Sequence, residues 1–281
     1  MREILELITK KLQENKNLNN LSKEFLKQKI KNYFLREGQK EKKLKLELER
    51  VGIEKLEKNK LFKQILKEIK TEINHQYTIF LTSDFSKKQK IINYEEILQT
   101  HKSSKERFPF YEEIYNKIFS WHKPKKIADL ACGLNPISYI LIENILNYKP
   151  KYFASDLAEK DMEFLNSFFE QNKIPGIAKA YDLTNENFLN EPELKDCDLI
   201  FLFKALDSIE EVKRHYSKIL LEKLPAKHLV VSFPTKSIGS GKDFDIKKRN
   251  WFYKYLEKQK WQYQEFQVEN EWFFLIEKKQ Q

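Results

Sequence analysis

At 281 residues, 41% hydrophobic and 33% charged, the chain has apolar material for one large core or two smaller ones. Two cysteines make no disulfide framework and point to a reduced, cytoplasmic setting, and the charged start is expected to carry no signal peptide. No apolar run approaches the roughly 20 residues of a membrane span, and the five histidines are too scattered to suggest a metal site. The net charge of +10 is uneven: residues 1–100 hold 23 Lys and Arg against 15 Asp and Glu, the remainder 29 against 27. That split suggests a polyanion-binding part (1–100) joined to a nearly neutral one (101–281), with solvated helix faces in a Lys-rich chain as the plainer alternative.

Residues 1–100 read as helical. Ile4, Leu5, Ile8 and Leu12 form one apolar stripe, and Phe25, Leu26, Ile30, Tyr33 and Phe34 a second. Leu44, Leu48 and Val51 begin a third, and Leu61, Ile65, Leu66 and Ile69 continue the pattern, while Gly38 and Gly52 mark bends or ends. These stripes are core positions of a small helical bundle. From about residue 120 the period changes. Strands are predicted over 125–132, 151–157, 177–183, 198–206 and 228–234, separated by helices over 137–146, 159–171, 209–223 and 245–259. Two further strands, 262–268 and 271–277, flank a tight turn at Glu269-Asn270. Strand–helix alternation implies a parallel, doubly wound α/β sheet.

In such sheets ligands bind at the carboxyl ends of the strands. The stretch DLACGLNP (129–136) follows the first strand and opens a helix. Gly133 permits a close backbone approach, Asn135 is suited to capping and Pro136 to the first turn. Alone this is also an ordinary strand–helix turn. Asp156 ends the second strand, where an acid accepts hydrogen bonds from ribose hydroxyls, and Asp182 ends the third, where it is placed for an adenine amine. Each is equally a turn former by itself, but three such features in order point to a nucleoside cofactor. One Gly is too few for a pyrophosphate-cradling turn, which favours S-adenosylmethionine over NAD. Arg107 is suited to forking onto a carboxylate, or to an ion pair with Glu106 or Glu112.

Several chemistries find no residues. Cys132 and Cys197 stand in strand-like runs and outside any Pro-Cys motif, which speaks against carbon methylation of a pyrimidine. The place after the fourth strand reads FKALDS (203–208), without the Asn-Pro-Pro-aromatic loop of exocyclic amine methylation. A ring nitrogen such as guanine N7 carries a free lone pair, so positioning suffices and no general base is required.

HKSSKER (101–107), DLACGLNP (129–136), FLFKALDSIE (201–210) and VSFPTKSIGSGK (231–242) together resemble the aminoglycoside-resistance 16S rRNA guanine-N7 methyltransferases of the ArmA and Sgm type, over roughly residues 95–278. The resemblance implies a class I, Rossmann-like methyltransferase fold: a seven-stranded, mostly parallel sheet whose last strand inserts antiparallel, behind an all-helical N-terminal domain. It implies S-adenosylmethionine as cofactor and a decoding-site guanine of 16S rRNA in the 30S subunit as target; no metal and a monomer are expected. By motif position Arg107 would hold the cofactor carboxylate. Gly133 would lie under the methionine part, Asp156 at the ribose and Asp182 at the adenine, with Asp129, Ala131, Leu157 and Leu183 also binding the cofactor. Lys204 would border both cofactor and target base, with Lys236 and Ser237 in the target pocket and Tyr111, Tyr115 and Phe233 as aromatics able to stack on the base, or else core. Two departures flank that pocket: Leu206-Asp207 where relatives commonly have Leu-Pro, and the stretch after Gly241. They leave the exact nucleotide and any resistance phenotype open; the alternative readings are another RNA position, a small-molecule substrate, or a non-catalytic RNA-binding or ribosome-assembly factor.

Overall fold

The computed structural model describes residues 2–15, 18–77, 94–99, 102–235 and 249–279. It divides into two compact units, one of residues up to Leu81 with Leu157–Lys160, the other of Thr82–Asp156 and Asp161–Gln281. Residues 94–107 therefore fall in the second unit. Among the described residues no helix is long and apolar enough to cross a membrane.

The first unit is helical: α1 (Arg2–Gln13), α2 (Lys23–Arg36), α3 (Gly38–Val51), the single turn α4 (Ile53–Leu56) and α5 (Lys60–Tyr77). The predicted stripes are its core, with Ile4, Ile8 and Leu12 meeting Phe25, Leu26, Ile30, Phe62, Ile65 and Ile69, all buried. Ser22 caps α2 by accepting from the Phe25 backbone N–H at 3.2 Å, and Gly52, at φ +74°, breaks α3 from α4.

The second unit opens with α6 (Tyr94–Leu98), α7 (Lys102–Arg107) and α8 (Tyr111–Trp121). Then β1 (Lys126–Leu130), α9 (Tyr139–Leu146), β2 (Lys151–Asp156), α10 (Glu159–Gln171) and β3 (Gly176–Ala180) alternate. They are followed by β4 (Leu199–Phe203), α11 (Leu206–Val212), α12 (Tyr216–Lys223), β5 (His228–Pro234), α13 (Asn250–Gln259), β6 (Gln262–Val268) and β7 (Glu271–Glu277). The sheet order is β3-β2-β1-β4-β5-β7-β6. The first five strands run parallel, and β7 inserts antiparallel between β5 and β6, as expected. The period-two alternation of β4 builds both layers: Leu199, Phe201 and Phe203 enter one core, Ile200 and Leu202 the other.

Several boundaries differ from the sequence reading, β1 ending at Leu130 rather than 132 among them. β3 stops at Ala180, so Asp182 lies in the following loop. β4 stops at Phe203, because Lys204 takes a left-handed φ of +56°. The helix predicted over 209–223 is two helices: His215 is left-handed at φ +66°, and the Glu210 carboxylate accepts from the His215 and Ser217 backbone N–H groups at 2.6 and 2.8 Å. Of the helix predicted over 245–259, residues 245–248 lie outside the described residues.

Candidate active site

Left-handed residues stand just beyond the carboxyl ends of β1 and β4. After β1, Ala131 and Gly133 are both left-handed, at φ +54° and +52°. The second suits glycine; the first costs an alanine roughly 1–2 kcal/mol. The turn is fixed from both sides. The Cys132 N–H donates to the Ser155 carbonyl at 3.0 Å, and the Gly133 N–H donates to the Asp156 carboxylate at 2.8 Å. Thus the acid at the end of β2 is tied to the backbone of the β1 turn, which brings two predicted site residues together.

Beneath this turn lies a buried polar network. Asp129, fully buried, accepts from Asn135 Nδ2 and from the Tyr152 hydroxyl, each at 2.8 Å, through Oδ2 alone; its Oδ1 has no partner. Burial pushes its carboxyl up to about 6, against the pull of those two donors. Asn135 is therefore not a helix cap. Its Oδ1 accepts from Tyr111 at 2.9 Å and from Arg107 Nη1 at 3.5 Å, so the side chain bridges an acid and a cation.

Arg107 pairs with neither Glu106 nor Glu112. Its Nε donates to both oxygens of Glu271, at 3.0 and 2.8 Å, with both side chains 4% exposed. Burial disfavours the guanidinium, but Glu271 outweighs it and holds Arg107 protonated above its ordinary range. Glu271 is likewise held below the usual carboxylate range: burial opposes this, and Arg107 and Lys204 prevail. Lys204, turned inward by its left-handed backbone, lies 3.2 Å from Glu271 and donates to the half-exposed Glu106 at 2.8 Å. Arg107 Nη2 is buried without a partner.

The remaining predicted residues are distributed as follows. Asp182 accepts from the Thr184 N–H and hydroxyl at 2.9 and 2.6 Å, a turn-forming role, and it stays half-buried at the β3 edge. Leu183 is buried in a core, and the half-buried Leu157 side chain packs against the core of the helical unit. Tyr111 and Phe233 are corrections to the sequence reading. Each is 1% exposed; Tyr111 stacks on Tyr115, itself buried, and Phe233 is enclosed by Phe252, Phe274 and the Arg249 guanidinium, which leaves no ring face for a base. Lys236 and Ser237 lie outside the described residues. Glu271 was missed. Its only sequence signal is an acid opening a strand whose next five residues are apolar.

The model of the ribosomal RNA methyltransferase (FmrO) family matches residues 36–276. The chain belongs to that family. Curated relatives include the 16S rRNA (guanine(1405)-N(7))-methyltransferases of Micromonospora rosea, 32% identical over 143 residues (50% of this chain, 50% of the relative), and of Serratia marcescens, 30% identical over 158 residues (55% and 58%). The chain thus spans only about half the length of the curated relatives it matches. The 16S rRNA methyltransferase RmtF, solved with S-adenosyl-L-homocysteine, shares the fold at TM-score 0.73 and 23% identity, over 99% of this chain and all of that one. This rRNA methyltransferase family member has the class I fold that its motifs implied.

Proposed function

We propose that the chain transfers a methyl group from S-adenosylmethionine to N7 of a guanine in 16S rRNA, at the position its relatives are named for, guanine 1405 of the 30S subunit. One observation carries the cofactor assignment. Two buried polar atoms of opposite character lack partners, the donor Arg107 Nη2 and the acceptor Asp129 Oδ1, and Asn135 joins their two side chains. A donor and an acceptor buried without partners on two joined side chains are suited to a ligand that carries both complements. A carboxylate and an ammonium on one carbon, the amino-acid end of S-adenosylmethionine, satisfy both. Asp156, placed beside Gly133, would take the ribose, and Asp182 the adenine edge.

The bound cofactor supplies a methyl group on a positively charged sulfur, which a ring nitrogen attacks directly. The protein then needs to orient and exclude water rather than move a proton. Burial pushes the thiols of Cys132 and Cys197 up, the latter to about 12, so neither supports a thiolate route to carbon methylation. Lys204, just beyond β4, would border the base pocket, its ammonium shared between Glu106 and Glu271.

The helical unit would dock the RNA. On α5 the acids Glu68 and Glu72 are consumed by Lys40, Tyr33 and Arg36. Lys60, Lys63, Lys67 and Lys70, spaced three, four and three apart, form a separate stripe with no acidic partner among the described residues. Such a stripe suits the phosphates of a folded RNA surface. A ribosomal substrate puts this work in the cytoplasm, and protection of guanine 1405 would confer aminoglycoside resistance. The test is methylation of purified 30S subunits with labelled cofactor, followed by mapping. Label at N7 of a single 16S guanine is expected. Label at an adenine, or none in rRNA, defeats the proposal.

A further inference from the structure

The antiparallel insertion of β7 has a chemical consequence. Because β7 runs against its neighbour, its first residue lies at the edge where the parallel strands end, and Glu271 stands opposite Pro234, the last residue of β5. An acid there reaches a place that, on a parallel strand, only a last residue could occupy. The Thr235 N–H donates to the Asn270 carbonyl at 2.9 Å and pins this corner. The Ser232 hydroxyl also donates to the Glu271 carboxylate.

Glu271 faces a particular hazard. Arg107 and Asp129 are both buried and oppositely charged, and one Asn side chain separates them, with Arg107 Nη1 3.5 Å from its oxygen and its amide 2.8 Å from Asp129. Two such groups attract strongly in a low-dielectric interior. If they paired with each other, both would be closed to a ligand. Glu271 offers Arg107 an alternative carboxylate on the far side of the guanidinium. It engages Nε, the nitrogen nearest the backbone, and leaves the terminal Nη1–Nη2 fork facing outward from that pair. Lys204 at 3.2 Å supplies a second cation, so Glu271 does not fully neutralise its own partners.

We infer that Glu271 is the positioning residue of the cofactor site: by binding Arg107 through Nε it holds the guanidinium off Asp129 and keeps both open for the amino-acid end of the cofactor. The inference rests on the reading that Arg107 and Asp129 bind that end. It predicts a ligand-selective effect, because a nucleoside that lacks the amino-acid tail has no use for either group.

The test is calorimetry on the full chain with two probes, S-adenosylhomocysteine and 5′-methylthioadenosine, the second of which keeps the nucleoside and drops the tail. In Glu271→Gln, affinity for S-adenosylhomocysteine should fall about tenfold as Arg107 loses its fixed orientation, and affinity for 5′-methylthioadenosine should stay within about twofold. Equal weakening of both probes would mean a merely structural role, and no change in either would also overturn the inference. Arg107→Lys separates the underlying reading. If it leaves S-adenosylhomocysteine binding intact, Arg107 is not a cofactor ligand; if it weakens that probe selectively while Glu271→Gln does not, only the role of Glu271 fails. Should Glu271→Gln fail to fold, Ser232→Ala removes one donor to the same carboxylate. A selective loss of about threefold is then expected, and an unchanged ratio between the probes counts against the inference.

Discussion

Asp129→Asn is expected to make the protein more stable and less able to bind its cofactor. The carboxyl of Asp129 is fully buried and titrates at about 6, against 3.8 when exposed to solvent. A folded-state pKa above the unfolded one means that the folded protein keeps a proton the unfolded chain has released. Below about pH 4 the group is protonated in both states and costs nothing. Between about pH 4 and 6 stability falls as pH rises, and above pH 6 the full cost is present, about 3 kcal/mol for a shift of this size. The Asn side chain keeps an oxygen for Asn135 and Tyr152 but places an unpartnered amide where Oδ1 stood, returning about 1–2 kcal/mol of that gain. A net stabilisation of about 1–2 kcal/mol at pH 7, absent at pH 4, follows. Urea unfolding read by tryptophan fluorescence isolates the relevant unit, because all four tryptophans (Trp121, Trp251, Trp261 and Trp272) lie in it. Affinity for S-adenosylhomocysteine should drop at least about tenfold with loss of the charge opposite the ammonium. Equal stability of the two proteins at pH 7, with the same slope between pH 4 and 6, would refute the reasoning.

Three other outcomes are expected. Arg107→Met strands Glu271 in the interior with Lys204 as its remaining cationic partner, and should cost about 3–5 kcal/mol in the same unfolding assay; a loss below about 1 kcal/mol contradicts the burial of the pair. Asp156→Ala removes the acceptor of the Gly133 N–H and the proposed ribose ligand, so calorimetry should show S-adenosylhomocysteine binding weakened by about tenfold or more, and near-native affinity would reject the assignment. Replacing Lys60, Lys63, Lys67 and Lys70 together with Gln should reduce the slope of log affinity for 30S subunits against log salt by up to about 3.5. It should leave the unfolding of the helical unit unchanged, since the four make no ion pairs among the described residues, and an unaltered salt slope removes α5 from the RNA face.

Much of the fold was legible because it is written in periodicity. The stripes Ile4–Ile8–Leu12 and Phe25–Leu26–Ile30 became one core, and the final hairpin closed at Glu269-Asn270, where Glu269 takes φ +46°. What remained hidden was backbone hand. Glycine marks a left-handed position only when glycine occupies it. Gly133 was readable as a turn, whereas Ala131, Lys204 and His215 adopt the same region with side chains that advertise nothing. Each of the three ends or redirects an element, which is why β4 was drawn too long and why α11 and α12 were drawn as one helix.

The site was legible in its acids and not in its pairing. Asp129, Asp156 and Arg107 stood out because strand ends and a helix-borne Arg are local features. The partner of Arg107 comes from far along the chain, Glu271 lying 164 residues beyond it. Tyr111 and Phe233 were drawn toward the pocket because an aromatic beside a motif reads the same whether it faces a ligand or a core. The deciding quantity is burial, and it is set by contacts across the fold: Asn135 holds the Tyr111 hydroxyl, and α13 brings Phe252 against Phe233. The same distance in sequence joins the two departures from the family pattern. Asp207 and Arg249 form a bidentate pair at 2.5 and 2.7 Å, with the guanidinium 4.3 Å from the Phe233 ring. A Pro at position 207 would offer no such partner; the pair fastens the start of α13 to the start of α11, directly beyond Lys204.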